Sequence, residues 1–147
     1  GFKDVSASCG LLFQEKLVSR GVAKADLDND GDMDLVITNS NAKAQIYRND
    51  YSNSQAPACW IGIALGNHPQ FKQCFYRSAR IEFKTAEGKT IWRTAKRDGS
   101  YLCALDPRVL LGIGKAQDQI ELRVHWADST ISPWQRLVTR QWHKIEK

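Results

Sequence analysis

The stretch ADLDNDGDMDLVITN at residues 25–39 places five aspartates within nine positions and then continues as an apolar run. Two like charges about 4 Å apart repel by roughly 1 kcal/mol even in water, so carboxylates at this spacing destabilise a loop unless something offsets them. A bound cation or full exposure to solvent would do so. The choice between the two decides much of what the sequence says about function.

The aspartates follow the pattern D-x-D-x-D-G-x-x-D, which is typical of a calcium loop. Calcium takes about 6–8 oxygen ligands, and alternate positions of a tight loop bring their carboxylates to one point. Gly31 is expected to provide the sharp turn, and the side chains of Asn29 and Asp32 are expected to point outward. The expected ligands are the backbone carbonyl of Asp32 and the carboxylates of Asp26, Asp28, Asp30 and Asp34.

An EF-hand is the obvious competitor, and it needs an acidic residue at position twelve of its loop. Counted from Asp26, that position is Ile37, and the run LVIT at 35–38 is typical of a strand rather than of an exit helix. We therefore predict a loop that lies between two strands and is closed by Asp34. Magnesium is disfavoured because it keeps more of its water ligands. A solvated acidic turn without metal is the alternative.

The composition is that of an ordinary globular domain. Hydrophobic residues make up 42% and charged residues 25% of the 147 positions, enough to bury a core. The formal net charge is +5, which permits binding to anionic surfaces. Because there is no tight basic cluster and no recognisable motif, we expect no specific nucleic-acid binding. No apolar run approaches the roughly 18 residues that a membrane span needs.

Alternation of apolar and polar residues predicts an all-β protein. In ARIEFK at 79–84 and QIELRVHW at 119–126, every second residue faces a core, which is the period of a half-buried strand. TAEGKT at 85–90 is typical of a hairpin turn. Residues 11–18 alone have a mildly helical pattern. Further strands are predicted at 20–25, 34–39, 44–48, 60–65, 90–96, 108–113, 130–138 and 142–146.

A polar stretch without apolar periodicity, RNDYSNSQAP at 48–57, is the best candidate for a boundary. We divide the chain there into a calcium-loop segment at 1–57 and a β-sandwich domain at 58–147. The segment is too short to bury a core alone, so its small sheet is expected to pack against the sandwich. Cysteine spacing does not suggest zinc and allows disulfides or free thiols at Cys9, Cys59, Cys74 and Cys103.

GVAKADLDNDGDMDLVITNSNAKAQIYRND at 21–50 resembles one FG-GAP/VCBS-type repeat, in which a calcium loop lies between strands of a β-propeller blade. FKDVSASCGL at 2–11 resembles the segment that joins successive repeats. The remainder resembles the ASPIC/UnbV domain of exported bacterial proteins and of cartilage acidic protein. The matching segments are WIGIAL (60–65), ARIEF (79–83), DGSYLCALDPRVLLGIG (98–114) and IELRVHWADST (120–130).

The resemblance implies an exported, calcium-stabilised module that is secreted, periplasmic or at the cell surface, with an adhesive, binding or accessory role. It implies no catalytic residues. Two turns depart from the family pattern. Ser78 stands where the family has glycine, and WADS at 126–129 replaces the family's W-P-D/S-G. One repeat alone cannot form a closed propeller.

We expect no enzymatic activity, because the chain lacks G-x-S-x-G, H-E-x-x-H and a P-loop. Asp98 and Asp106 could act as paired acid and base. However, Asp98-Gly99 and Asp106-Pro107 are typical turn sequences, which favours structural roles.

The predicted function is therefore recognition of a protein or glycan partner at a cell surface, with calcium in a structural role. The alternative is a carbohydrate-binding module, accessory to an enzyme, in which exposed tryptophans stack on sugar rings. Trp60 and Trp126 are assigned to the core. The candidate ligand-binding residues are Trp92, Trp134 and Trp142.

Overall fold

A computed structural model describes residues 1–8, 10–51, 59–66, 78–114 and 116–147. Within these residues the chain forms two short 3-10 helices, at Ser6–Ser8 and Leu11–Phe13, and ten strands. The strands β1 to β10 are Ser19–Ala25, Asp34–Asn39, Ala42–Tyr47, Cys59–Leu65, Arg80–Lys84, Thr90–Thr94, Val109–Gly114, Gln119–His125, Gln135–Val138 and Trp142–Ile145. The all-β prediction is confirmed, and the mildly helical stretch at 11–18 contains one 3-10 turn.

The N-terminal part is a three-stranded antiparallel sheet in the order β1-β2-β3. The last residue of β1, Ala25, pairs with the first residue of β2, Asp34. The aspartate loop therefore connects two neighbouring strands and is closed by a rung of their ladder. This is the strand–loop–strand setting that the apolar run after the aspartates predicted.

The C-terminal part is a β-sandwich built from a three-stranded sheet, β10-β4-β7, and a four-stranded sheet, β6-β5-β8-β9. Alternate residues of each strand point into one shared core, as the period of two requires. Ile61 and Leu111 contribute from the smaller sheet, and Phe83 and Val124 from the larger one. These four side chains are at most 1% exposed, so the core lies between the two sheets.

Glu82 lies on the face opposite Ile81 and Phe83, as the alternation in ARIEFK predicts, but it is only 8% exposed because it is covered by ionic partners described below. One local expectation differs from the structure. The strand expected at 130–138 begins only at Gln135. Pro133 has no N–H to give to a ladder, and before it Ile131 forms no more than an isolated bridge with His125.

Two of the four cysteines can be described. Cys59 and Cys103 are free thiols, Cys59 being buried. Cys9 and Cys74 lie outside the described residues, as do the proposed boundary at residue 57 and most of the turn that precedes ARIEFK. Cys59 and Cys103 therefore form no disulfide, and the prediction of a disulfide stays open only for Cys9 and Cys74.

Candidate metal centre

The aspartate loop occupies residues 26–33 between β1 and β2. Asp26 and Asp34 are each 1% exposed, which is rare for carboxylates unless they are paired, hydrogen-bonded or bound to a metal. Asp32 is also buried, at 9% exposed, whereas its side chain was expected in solvent. The loop is therefore folded inward around its own charges.

Backbone N–H groups of the loop converge on the Asp26 carboxylate. Its Oδ1 accepts the N–H of Asp30 at 3.1 Å, and its Oδ2 accepts the N–H of Gly31 at 3.0 Å. The turn needs left-handed backbone at Asn29, with φ of 62°, and at Gly31, with φ of 94°. Asparagine and glycine tolerate that region best, which is why this pair of residue types can close the loop.

The second buried carboxylate, Asp34, joins the loop to the end of β3. Its Oδ2 accepts the N–H of Leu27 at 2.8 Å, and its Oδ1 accepts the N–H of Asn49 at 2.8 Å. Since a carboxylate has about four lone-pair sites, these two bonds leave capacity for a metal ion. Asp34 therefore fixes the loop and also remains able to act as a ligand.

Carboxylate oxygens meet in two overlapping groups, in each of which one oxygen per residue lies within 4.8 Å of the others. One group is Asp26, Asp28 and Asp34, and the other is Asp28, Asp30 and Asp50. Asp28 is common to both. Four of the five expected ligands are thus brought together through their side chains, while the Asp32 carboxylate belongs to neither group.

Crowding and burial together disfavour the charged form of one ligand. Burial raises the pKa of Asp30, and the neighbouring charges of Asp28, Asp32 and Asp26 raise it further, against a hydrogen bond from the Asp32 N–H. Arg48 offsets part of the negative charge, since its Nε lies 2.9 Å from Asp50 and 4.0 Å from Asp28. A divalent cation would relieve the remaining repulsion.

The donor set fits calcium. All candidate atoms are hard oxygens, and calcium binds oxygen at about 2.3–2.6 Å, so two ligands on opposite sides of one ion lie about 4.8 Å apart. The observed grouping within 4.8 Å is compatible with that distance. Asp26, Asp28 and Asp34 would hold an ion between the strands, with Asp30 and Asp50 adjoining on the side of Asp28.

The loop is seated on the sandwich through two tryptophans. Trp142, the first residue of β10, donates its indole N–H to the Asp26 Oδ2 at 3.1 Å. Trp60 of β4 packs against Gly31 so closely that a Cβ on that glycine would overlap its ring. The two rings lie 6.0 Å apart between centroids and are tilted by 58°. The aspartate loop therefore contacts the sandwich at two points, Asp26 and Gly31.

Arg108, which immediately precedes β7, adds a polar clamp. Its guanidinium donates to the Asn29 Oδ1 and to the Asp26 carbonyl, each at 2.6 Å, and lies 4.1 Å above the Trp142 ring. An ion pair of 2.7 Å with Asp106 holds it in place. One arginine of the sandwich thus contacts backbone, side chain and aromatic ring at the loop.

The three candidate ligand-binding tryptophans do not share one surface. Trp92 belongs to β6 of the larger sheet, Trp134 immediately precedes β9 of the same sheet, and each is 38% exposed. Trp142 belongs to the smaller sheet and is engaged with the aspartate loop. Trp126 is 6% exposed within the core, and Trp60 is 7% exposed, although its partners are the loop and Trp142.

Asp98 and Asp106 both line a cavity of about 550 Å³ at the junction of the N-terminal sheet and the sandwich. Each carboxylate has a cationic partner, Lys96 at 3.4 Å and Arg108 at 2.7 Å respectively. Asp106 also accepts the backbone N–H of Arg108 at 2.9 Å. These contacts fit the turn-forming roles expected from the sequence.

Sequence reasoning missed three contributors to the centre, namely Asn49, Asp50 and Arg108. The first two lie at the start of the polar stretch that was taken as a boundary, where an Asn-Asp pair directly after a strand was the available signal. Arg108 was quoted within the ASPIC/UnbV-like block but had no assigned role. No local pattern connects it with a loop about 80 residues earlier.

Comparison with protein families finds an FG-GAP repeat at residues 20–56 and the ASPIC and UnbV family at residues 75–147. No curated protein matches the chain. FG-GAP repeats are generally calcium-binding and often mediate protein interactions, and both domains are typical of extracellular or surface proteins. Within the described residues, no helix is long and apolar enough to cross a membrane. The chain therefore contains an FG-GAP repeat at residues 20–56 followed by an ASPIC/UnbV domain at residues 75–147.

Proposed function

We propose that the chain is a non-catalytic extracellular recognition module whose aspartate loop binds one structural calcium ion. The observation that supports this most directly is the meeting of Asp26, Asp28 and Asp34 within 4.8 Å at the base of a closed loop. The ion would neutralise crowded carboxylates, of which Asp26 and Asp34 are fully buried. Asp30, Asp50 and the carbonyl of Asp32 are the further oxygens available to it.

The ion would act through stability. A ligand that binds only the folded state stabilises it by RT ln(1+[L]/Kd), which is about 2.7 kcal/mol at 100 times Kd. For a chain of this size that corresponds to a rise in the unfolding midpoint of roughly 5–10 °C. Because the loop contacts Trp60, Trp142 and Arg108, the ion would also stabilise the contact between the N-terminal sheet and the sandwich.

Thermal unfolding with calcium, with magnesium and with excess chelator tests this proposal. We expect a rise with calcium alone. Asp28→Asn, at the residue common to both carboxylate groups, should abolish the rise, and Glu87→Gln, an exposed residue of the β5–β6 turn, should keep it. A midpoint that is equal in calcium and in chelator would show that the loop is a solvated acidic turn instead.

Recognition itself is assigned to the sandwich, with a protein or glycan at a cell surface as the partner. A second candidate function, carbohydrate binding as an accessory module, is favoured by one observation. Trp92 lies on β6 and Trp134 immediately precedes β9 of the same sheet, each with 38% of its surface exposed. Quenching of tryptophan fluorescence on titration with soluble glycans would support this candidate. Binding to cell-surface protein without any response to glycans would support the first.

A further inference from the structure

A single row of side chains crosses the outer face of the four-stranded sheet. Trp92 lies opposite Glu82 in the β5–β6 ladder, and Glu82 lies opposite Arg123 in the β5–β8 ladder. Trp134 immediately precedes Gln135, which pairs with Leu122, so it falls beside Arg123. The order across the sheet is therefore Trp92, Glu82, Arg123, Trp134. With strands about 4.8 Å apart, the two tryptophan backbones are separated by about 14 Å.

Cations hold both indole rings in place. The Arg80 guanidinium lies 4.5 Å from the centre of the Trp92 ring, and His125 meets the same ring edge-on at 4.8 Å. Lys84 and Arg123 lie 4.9 Å and 4.6 Å from the centre of the Trp134 ring. Rings that are already fixed lose little conformational entropy when a ligand stacks on them, which favours binding.

The centre of the row is polar. The Arg123 Nε donates to the Glu82 Oε2 at 2.6 Å, and the His125 Nε2 lies 2.9 Å from the same oxygen. That bond uses one of the five N–H donors of the guanidinium, and the Arg123 side chain is still 32% exposed. Two aromatic platforms thus flank a group that can hydrogen-bond to hydroxyls, which is the usual make-up of a sugar site.

The charges on this face favour an anionic ligand. The outward-facing positions of its strands carry the cations Arg80, Lys84, Arg123 and Arg136 against the carboxylates Glu82 and Glu121. Both carboxylates are already paired, Glu82 with Arg123 and Glu121 with Arg136 at 2.7 Å. Among the described residues, neither Arg80 nor Lys84 has a carboxylate oxygen within 4.0 Å. The hydrogen bond from Arg136 lowers the pKa of Glu121 most, and the charge of Lys84 helps to lower it. Arg80 and Lys84 lie four positions apart on β5, or about 13 Å, each over one of the two tryptophans.

We infer that this row binds a carboxylated polysaccharide, an inference that rests on the recognition role proposed above. Sugar rings stack on Trp92 and Trp134, and uronate carboxylates meet Arg80 and Lys84. A guanidinium accepts a carboxylate through two parallel N–H···O bonds, so Arg80 supplies directional as well as electrostatic selection. A neutral chain would form no ion pair with either cation and should bind more weakly.

Isothermal titration with a hexamer of galacturonate and with its methyl ester, which keeps the rings but removes the charge, tests the inference. The protein is loaded with calcium and freed of excess ion, because uronates bind calcium themselves. We expect at least tenfold weaker binding of the ester. Trp92→Ala, Trp134→Ala and the pair Arg80→Gln with Lys84→Gln should each weaken binding of the acid at least tenfold. Tyr101→Ala and Lys43→Gln, which replace an exposed aromatic and an exposed cation elsewhere, should not.

Three outcomes would overturn the inference. The ester could bind as tightly as the acid, single-stranded DNA could bind equally well with the same dependence on the variants, or no saccharide could bind. The calcium-dependent midpoint of the same samples separates these failures from failure of the proposed function. If calcium stabilises the protein but the hexamer does not bind, the structural role of calcium stands and only the polysaccharide inference fails.

Discussion

The indole N–H of Trp142 donates to the Oδ2 of Asp26 at 3.1 Å, across 116 positions of sequence. The same oxygen accepts the N–H of Gly31. One carboxylate therefore closes the aspartate loop and anchors it to the last strand of the sandwich. Any rearrangement of the loop that moves Asp26 must also change its contact with β10, so the geometry of the candidate metal centre depends on both domains.

Removing this hydrogen bond should weaken calcium binding. Trp142→Phe keeps an aromatic ring against Trp60 but removes the N–H that orients the Asp26 carboxylate. Loss of such supporting bonds typically lowers metal affinity by about tenfold or more. Competition with a calcium-chelating dye measures the change. Trp92→Phe, on the outer face of the other sheet, is the control, and equal affinities in the two variants would contradict the role given to Trp142.

Replacing the arginine clamp should loosen the loop from the sandwich. Arg108→Lys keeps the charge but loses the planar fork that reaches Asn29, the Asp26 carbonyl and Asp106 together. We expect a loss of about 2 kcal/mol in the free energy of unfolding. Hydrogen exchange at the loop amides should accelerate as well.

Chemical denaturation and amide exchange measure these two effects, and Arg136→Lys is the matched control. Arg136 forms an exposed pair with Glu121, so the same exchange of side chains should change stability by less than about 0.5 kcal/mol. Equal losses in the two variants would mean that Arg108 acts as an ordinary surface cation.

The local features of this protein were predictable because they depend on the spacing of residues only a few positions apart. The spacing of Asp26 to Asp34 is a loop pattern contained within nine residues, and the alternation around Ile81 and Leu122 assigns inner and outer faces without knowledge of any partner strand. Both depend only on neighbours in sequence, so they were confirmed at the level of strands, faces and loop position.

Contacts between distant segments were not predictable in this way. β10 pairs in parallel with β4, and nothing in either strand specifies that partner. Trp142 looked like a surface ligand residue because its sequence neighbours are polar, yet it points to Asp26. Glu82 lies on the outer face that the alternation of its strand predicts, but the charged partners from a neighbouring strand that cover it could not be predicted from that pattern. Each miss reflects tertiary pairing that outweighs a local pattern.

A substitution at Gly31 should separate backbone strain from packing against the sandwich. Gly31→Ala must adopt φ of 94° and place a methyl group into the Trp60 ring. Gly88→Ala, in the β5–β6 turn, must adopt φ of 77° but meets nothing within 4 Å. The left-handed backbone alone costs about 1–2 kcal/mol, and overpacking adds about 1–3 kcal/mol.

Urea denaturation should therefore show a larger loss of stability for Gly31→Ala than for Gly88→Ala, and calcium affinity should fall only in the former. A similar loss in both variants would show that the Trp60 ring moves aside for the added methyl group at little cost in stability. The contact between Gly31 and Trp60 would then contribute little to the conformation of the loop.

Stability should fall at acid pH partly through Glu82. The hydrogen bond from Arg123 lowers the pKa of Glu82 most, burial acts against it, and His125 lowers it further. In the unfolded chain the carboxyl titrates near 4.5. Because the folded form binds this proton less readily, the stabilisation is fully present above that value and is lost as the pH falls through the lower folded pKa. Glu82→Gln should reduce the free energy of unfolding by about 1–2 kcal/mol at pH 7, and the difference from the original chain should shrink as the pH approaches 3.

Denaturation at a series of pH values measures this difference. Glu121→Gln is the exposed comparison, and its difference from the original chain should be smaller at every pH. If the gap between Glu82→Gln and the original chain stayed constant with pH, the ionised Glu82–Arg123 pair would not be what stabilises this face of the sheet.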